Sequence, residues 1–228
     1  MRLPVTAMGW PQVVVFPGVI VLSMAILALV FGAAMPLWAL LAVEGLLGLV
    51  LIWTLCFFRD PARPCPEDES LLLAPADGRI TDVEVVQEDT FLQKKALRIG
   101  IFLSVFDVHV NRVPCSVRLE KTSYKKGRYK NALDPESSRV NERNDLHLVR
   151  IHSPEDRLIV RQISGAIARR IVCKARPGQD FAAGERVGMI KFGSRTELYV
   201  PLRDQLHCLV KIGDKVKAGL TPLARYER

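Results

Sequence analysis

Charge is nearly missing from the first 58 of the 228 residues, where only Arg2 and Glu44 carry any. A stretch so poor in charge cannot cover a soluble domain of its own. Taking these two from 32 basic and 24 acidic residues leaves 31 and 23, so the whole net charge of +8 lies beyond position 58. The chain also lacks any C-x-x-C pair: Cys56, Cys65, Cys115, Cys173 and Cys208 are an odd set, as expected of reduced cytosolic thiols rather than a disulfide framework. His109, His147, His152 and His207 show neither H-E-x-x-H nor H-x-H spacing, and no cysteine stands near enough to complete a zinc set, so no metal is expected. A long helical period is missing after residue 70, which argues against a helical catalytic domain.

What the first segment does have is two apolar runs, 13–34 and 37–58, joined at Met35-Pro36. At ~1.5 Å per residue each run reaches ~33 Å as a helix, enough for a hydrocarbon core of ~30 Å. Pro36 suits a helix start, because its missing N–H would have no helical partner there. A two-helix membrane hairpin over 1–58 is expected, with a re-entrant hairpin and a cleaved signal peptide ending near "FGAA" as competing readings. Arg2 before the hairpin, and Arg59 and Arg63 after it, place both ends on the cytoplasmic side of the cell membrane. Glu44 inside the second run is expected to face its partner helix, to be protonated, or to sit near an interface.

A proline- and charge-rich linker, 59–70, leads into a domain over 71–228. Its short β-branched stretches, "RITDVEVV", "ALRIGIFLSVFDVHVNRV", "DLHLVRIHS", "RLIVRQISG" and "ELYVP" among them, alternate with Gly, Asp-Gly and Pro. The pattern predicts a mainly β, antiparallel domain. "VKIGDKVKAGLTPLARY" reads as a strand, a Gly-Asp turn and a second strand, like the hairpins of lipoyl- and biotinyl-carrier sandwiches. "FAAGERVGMIKFG" repeats the pattern with Ala-Gly-Glu as its turn, so an internally duplicated sandwich is expected.

In "FDVHVNRV", strand alternation puts Asp107, His109 and Asn111 on one face. Such a polar face is either a site or a solvated surface. Asp77 in "LAPADGRI" fits a hairpin turn through Asp-Gly, and Gly193-Ser194 fits an ordinary turn. The run "KTSYKKGRYK" suits either a solvated charged face or contact with anionic lipid, at ~1 kcal/mol per well-placed basic residue. A tethered sheet with few aromatics makes a poor nucleic-acid reader, so no nucleic acid is expected as a partner.

Together these segments resemble a known family. Two amino-terminal apolar helices, "PADGRI", "FDVHVNRVP", "KTSYKKGRYKNALDPESSRVNERN", "GERVGMIKFGSRTELYVP" and a terminal hairpin occur in the order found in short-form phosphatidylserine decarboxylases, which are pyruvoyl-dependent and made as self-cleaving proenzymes. The resemblance covers nearly the whole chain. It implies cleavage between Gly193 and Ser194 into a β chain, 1–193, and an α chain, 194–228, that stay associated. Ser194 would become a covalent pyruvoyl group, with no metal and no pyridoxal phosphate. The ketone would form a Schiff base with the head-group amine of phosphatidylserine, carbon dioxide would leave, and phosphatidylethanolamine would result.

For the cut itself, the Ser194 hydroxyl attacks the Gly193 carbonyl, and glycine permits the backbone geometry this needs. His109 is the expected base and later proton donor, with Asp77 fixing its tautomer. Long-form members carry a second histidine where this chain has Arg112, and a small hydroxyl residue where it has Arg195. Arg112 and Arg195 are candidates to hold the lipid phosphodiester or serine carboxylate, since a planar guanidinium suits both. Asn111, Asn131, Asn141 and Glu142 are further substrate-binding candidates, and His147 either assists or is structural. A homodimer is a possible assembly. Open alternatives are a membrane-anchored lipoyl-like adaptor without catalysis, a zinc peptidase on a related sandwich, and the same decarboxylation of an ether-linked archaeal serine lipid.

Overall fold

The two apolar runs form helices α1 (Gln12–Phe31) and α2 (Leu37–Phe57), with Pro36 at the position just ahead of α2. The structure, a computed structural model, describes residues 5–134, 136–166, 170–191 and 193–227; Arg2 lies outside them. Both helices are long and apolar enough to cross a membrane. They pack on each other, yet Leu22, Leu29, Leu46 and Leu49 still point outward. A helix apolar all round is at home in lipid rather than water. The chain divides into two units, Met1–Ala62 and Arg63–Arg228.

The second unit is built from antiparallel sheets, as its alternating sequence predicts. Its strands are β1 (Leu71–Leu73), β2 (Gly78–Glu88), β3 (Lys94–Leu103), β4 (Val110–Arg112), β5 (Val117–Lys125), β6 (Arg143–Arg150) and β7 (Arg157–Ser164). There follow β8 (Arg170–Cys173), β9 (Asp180–Phe181), β10 (Arg186–Lys191), β11 (Ser194–Pro201), β12 (Leu206–Cys208), β13 (Lys215–Val216) and β14 (Pro222–Tyr226). A one-turn helix, α3 (Ser137–Val140), lies between β5 and β6. Eight strands form a sheet in the order β13-β2-β3-β11-β7-β6-β5-β9, and two three-stranded sheets run β1-β14-β12 and β4-β10-β8.

This order maps onto itself. Four strands of the large sheet, β13-β2-β3-β11, go with β1-β14-β12; the other four, β9-β5-β6-β7, go with β4-β10-β8. The two parts use matching main-chain bonds: Gly213 N–H donates to Ile80 O and Ile80 N–H to Asp214 O, while Gly178 N–H donates to Leu119 O and Leu119 N–H to Gln179 O. Gly219 N–H likewise donates to Ala74 O as Gly184 N–H does to Val113 O. Gly184 and Gly219, at φ +71° and +70°, adopt a backbone that side chains disfavour.

The expected hairpins are corrected in detail. Asp77-Gly78 is a corner between sheets, because β1 pairs with β14 whereas β2 pairs with β3 and β13. Glycine is needed at the corner, since a Cβ on Gly78 would stand 2.0 Å from Phe102 O. The strands beside Gly213-Asp214 do not pair with each other either: β12 joins β14 and β13 joins β2. The strand expected through Asp107 is only β4, and Asp107 instead closes a turn by accepting from Ser104 N–H and Oγ–H.

Leu72, Ile99, Ile101, Leu103, Leu146, Leu158, Val160 and Leu198 fill the main core on one face of the large sheet. Burying each such side chain contributes about 1.5–3 kcal/mol. Along β11 the period of two sends Leu198 and Val200 into this core and turns Arg195, Glu197 and Tyr199 to the opposite face.

Candidate active site

Ser194 begins β11 in the middle of the large sheet, paired with Leu103 of β3 and Ser164 of β7. Its residue is fully buried, and Oγ has no hydrogen-bond partner among the described residues. A buried hydroxyl left unmatched costs about 1–3 kcal/mol, so this position is held by the sheet at the expense of its own polar group. Gly193 precedes it at φ +68°, a backbone that glycine accepts without strain. The Gly193 carbonyl packs onto Gly165, where an added Cβ would lie 2.3 Å from the oxygen.

His109, fully buried, meets the amide on the other side of Gly193. Gly193 N–H donates to His109 Nε2 at 3.2 Å, and Nδ1 lies 2.9 Å from Asp107 O. A carbonyl can only accept and an amide N–H only donate, so the ring is assigned the neutral tautomer with its proton on Nδ1. The Nε2 lone pair is thereby occupied by the Gly193 N–H, one peptide ahead of the Gly193–Ser194 bond. Below it Asn111 extends a buried amide relay: Asn144 Nδ2 donates to Gln162 Oε1 at 3.0 Å, Gln162 Nε2 to Asn111 Oδ1 at 2.9 Å, and Asn111 Nδ2 to Thr196 Oγ1 at 3.0 Å. The relay links β6, β7 and β4 to β11 two residues beyond Ser194.

Asp77 has other partners than the one expected of it. Its carboxylate accepts from Arg63 Nη1 and Nη2 at 2.5 and 2.7 Å and from Ala218 N–H at 2.8 Å. The Nδ1 contact expected of it is made by the Asp107 carbonyl. Arg112 donates to Gly184 O at 2.9 Å, beside the Gly184 and Gly219 turns.

Arg195 points away from Ser194. Its Nε donates to Glu197 Oε1 at 2.8 Å and Nη1 to Thr81 Oγ1 at 3.0 Å, while Nη2 meets Asp82. Burial alone would lower the Arg195 pKa, but Glu197 and Asp82 outweigh it and hold the group above its usual value. Glu197, fully buried, also accepts from Ser138 Oγ–H at 2.9 Å and Tyr199 Oη–H at 2.7 Å. Arg161 donates to Tyr199 Oη at 2.8 Å and holds Asp145 through two bonds.

The segment after β5 borders the site. Asn141 accepts from Lys130 N–H and donates to Lys130 O and Ser164 O, each at 2.8 Å. Glu142 O accepts from Ser164 N–H, and its carboxylate takes the Tyr124 hydroxyl at 2.7 Å, which pushes that phenol up to about 12. Asn131 Oδ1 accepts from Leu133 N–H in a local turn. Lys125, Lys126 and Arg128 are exposed, as are Phe106 and Leu133. His147 lies apart, with Nε2 3.0 Å from Ser123 Oγ and its ring edge-on to Phe91. Of the expected residues the structure therefore brings Gly193, Ser194 and His109 together, with Asn111 joined through Thr196 and Asn141 and Glu142 through Ser164.

Sequence reasoning missed Gly165, Thr196, Gln162, Asn144 and Glu197. The last four were readable only as strand alternation; Gly165 had no signal, because its role is a close approach between distant segments. Among the described residues no group of three or more His, Cys, Asp or Glu is placed to hold a metal.

The sequence as a whole matches a decarboxylase family. The sequence model of the phosphatidylserine decarboxylase family matches residues 50–224, and the chain belongs to that family. It is 43% identical over 208 residues to the phosphatidylserine decarboxylase proenzyme of Pelagibacter ubique, covering 90% of this chain and 92% of the relative. It is 41% identical to the proenzyme of the same description from Symbiobacterium thermophilum, over 226 residues covering 99% and 97%. The relative from Carboxydothermus hydrogenoformans, also so described, is 41% identical over 196 residues, covering 86% and 88%.

Proposed function

We propose that this chain is a self-cleaving proenzyme that decarboxylates phosphatidylserine to phosphatidylethanolamine through a pyruvoyl group made from Ser194. The observation that carries the reading is the buried, unpartnered Ser194 Oγ beside a left-handed Gly193 whose N–H is held by His109 Nε2. An orphaned hydroxyl at the first residue of a strand fits a group that is consumed rather than kept.

In the maturation step the Ser194 Oγ–H bond is broken, Oγ bonds to the Gly193 carbonyl carbon, and the Gly193 C–N bond breaks to leave an ester and a free amine. Loss of the Ser194 α proton then expels Gly193 as a carboxylate. Water replaces the nitrogen of the resulting dehydroalanine, ammonia leaves, and a ketone remains at position 194. His109 holds a neutral ring nitrogen on the Gly193 N–H, one peptide ahead of this bond, and suits the proton transfers once that hydrogen bond is released. Once formed, the pyruvoyl group supplies a carbonyl that takes up the substrate amine and accepts electrons as carbon dioxide departs. Asn111 and Thr196 brace the strand behind it, and Asn141 fixes the bordering segment to Ser164.

The helices α1 and α2 support an anchor in the cell membrane, and the excess of basic residues after them supports a catalytic unit on the cytoplasmic side. The repeated strand order supports a duplicated, lipoyl-like sandwich. The α chain would supply β11 to β14 and stay paired with the β chain through β3, β7, β1 and β2.

The test is the intact mass of the full chain, purified in detergent and denatured, beside a Ser194→Ala control. Two chains are expected, meeting at 193/194, the small one lighter by one ammonia than a serine-started peptide, together with carbon dioxide release from phosphatidylserine vesicles. A folded protein that stays whole in both samples overturns the reading and leaves a non-catalytic anchored adaptor.

A further inference from the structure

We propose that Glu197 and Arg195 form an ionic clamp that positions the new amino terminus of the small chain after cleavage. The proposal rests on the self-cleavage reading. In the precursor, residue 194 is fixed by covalent bonds on both sides. After the cut it becomes a chain end on a central strand, and strand ends fray unless something beyond the ladder holds them. The ladder at this point supplies Leu103 on one side and Ser164 on the other. The next side chains along the strand supply the rest, and they point to the face opposite Ser194.

Residue 195 is tied to Thr81 and Asp82 of β2, two strands away. Residue 197 is tied to Ser138 of α3, in the segment that borders the site. Both positions belong to the small chain, whereas Thr81, Asp82 and Ser138 belong to the large one. The bond between Arg195 and Glu197 joins the two anchors into one unit.

Such a buried arrangement is a poor device for stability alone, since apolar side chains of similar volume fill a sheet face at less desolvation cost. It is a good device for fixing one geometry, because charged groups in fixed directions accept few alternative registers. Ser194, Thr196 and the clamp alternate along one strand, so a shift that releases Arg195 also moves the reacting position. Glu197 is thus a positioning residue, acting through the strand rather than on the substrate.

The proposal predicts that the clamp matters more to the cut protein than to the uncut one, which a purely structural role would not produce. Full-length protein in detergent is compared in two backgrounds, the self-cleaving chain and the uncleavable Ser194→Ala chain, each with and without Glu197→Gln. In the cleaving background the variant is expected to form both chains, to release the small chain at a lower urea concentration, and to lose kcat by about tenfold with KM changed by less than about threefold. In the Ser194→Ala background the same substitution is expected to shift the urea midpoint by a clearly smaller amount. Glu197→Asp, which keeps the charge, is expected to recover part of the retention.

Equal midpoint shifts in the two backgrounds, or unchanged retention and kcat in Glu197→Gln, overturn the clamp. Should Glu197→Gln fail to accumulate, Tyr199→Phe removes one donor to the same carboxylate and is judged by the same comparison. A wild-type chain that never divides overturns the clamp together with the self-cleavage reading. Failure of the clamp alone instead leaves two normal chains and an active wild type.

Discussion

The α carbon of Gly165 lies so close to the Gly193 carbonyl that a methyl group there would sit 2.3 Å from the oxygen. A real methyl would need more than 3 Å, so the oxygen of the peptide proposed for cleavage would have to swing or the strand to move. Gly165→Ala is expected to accumulate as uncleaved precursor, with processing slowed about hundredfold, because a 1 Å misplacement can cost that much. Densitometry of the two chains against time checks it. Processing at the wild-type rate would show that the carbonyl is free to move.

His109 Nε2 accepts from Gly193 N–H, one peptide ahead of the Gly193–Ser194 bond, and its Nδ1 proton goes to Asp107 O. His109→Gln keeps a hydrogen-bonding side chain but removes the base. Cleavage is expected to slow by about 10²-fold or more, the usual contribution of a positioned general base. Because the same ring is proposed to protonate the product, any cleaved fraction isolated from this variant should also turn over slowly, as followed by carbon dioxide release.

His147 sets a pH limit on stability that is separate from catalysis. Burial lowers its pKa below the usual 6.5, with the nearby Lys121 acting in the same direction and Asp145 opposing. The unfolded chain therefore binds a proton that the folded chain resists. The folded state keeps its full stability above the ordinary histidine range and loses it as the pH falls through 6.5 toward the depressed folded value. Thermal melting of the uncleavable Ser194→Ala chain should drop between about pH 7 and pH 5. His147→Leu should flatten that drop, and a drop of the same size in the variant would exclude His147 as its cause.

Cys115 is buried in the main core, and desolvation pushes its thiol up to about 12 in spite of Arg150 nearby. Cys208 is exposed. With thiolate as the reactive species, iodoacetamide at neutral pH should label Cys208 and leave Cys115 untouched until the protein unfolds. Peptide mass mapping of alkylated native protein checks this, and early labelling of Cys115 would contradict the packing around it.

The two apolar helices and the β class were legible because both rest on local pattern. Two apolar runs of 22 residues with Glu44 as their single charge fit few structures other than membrane-length helices, and β-branched alternation with glycine breaks fits few besides short strands. That Ser194, Gly193 and His109 lie together was legible through motif context. Their surroundings were not. Asp77 was expected on the His109 ring, but its carboxylate is engaged by Arg63 and Ala218 N–H, and a main-chain carbonyl stands at Nδ1. Main-chain partners leave no trace in side-chain identity. Arg195 was expected at an anion of the substrate, yet strand alternation directs residue 195 away from the face that residue 194 occupies, and the acidic residues awaiting it, Asp82 and Glu197, lie on two different strands. Gly213-Asp214 was expected to close a hairpin on itself, whereas the strand it opens joins β2 from a distant part of the chain.

The repeated strand order has one more consequence. The second repeat, β4 to β10, is inserted whole between β3 and β11 of the first, and the Gly193–Ser194 peptide is the seam where the insert hands the chain back. A cut at that seam leaves the inserted repeat complete but divides its host, with β1 to β3 on one fragment and β11 to β14 on the other. The matured protein would be a split protein held by complementation: its first repeat exists only while the two pieces interlock, and neither piece contains the instructions to rebuild it alone.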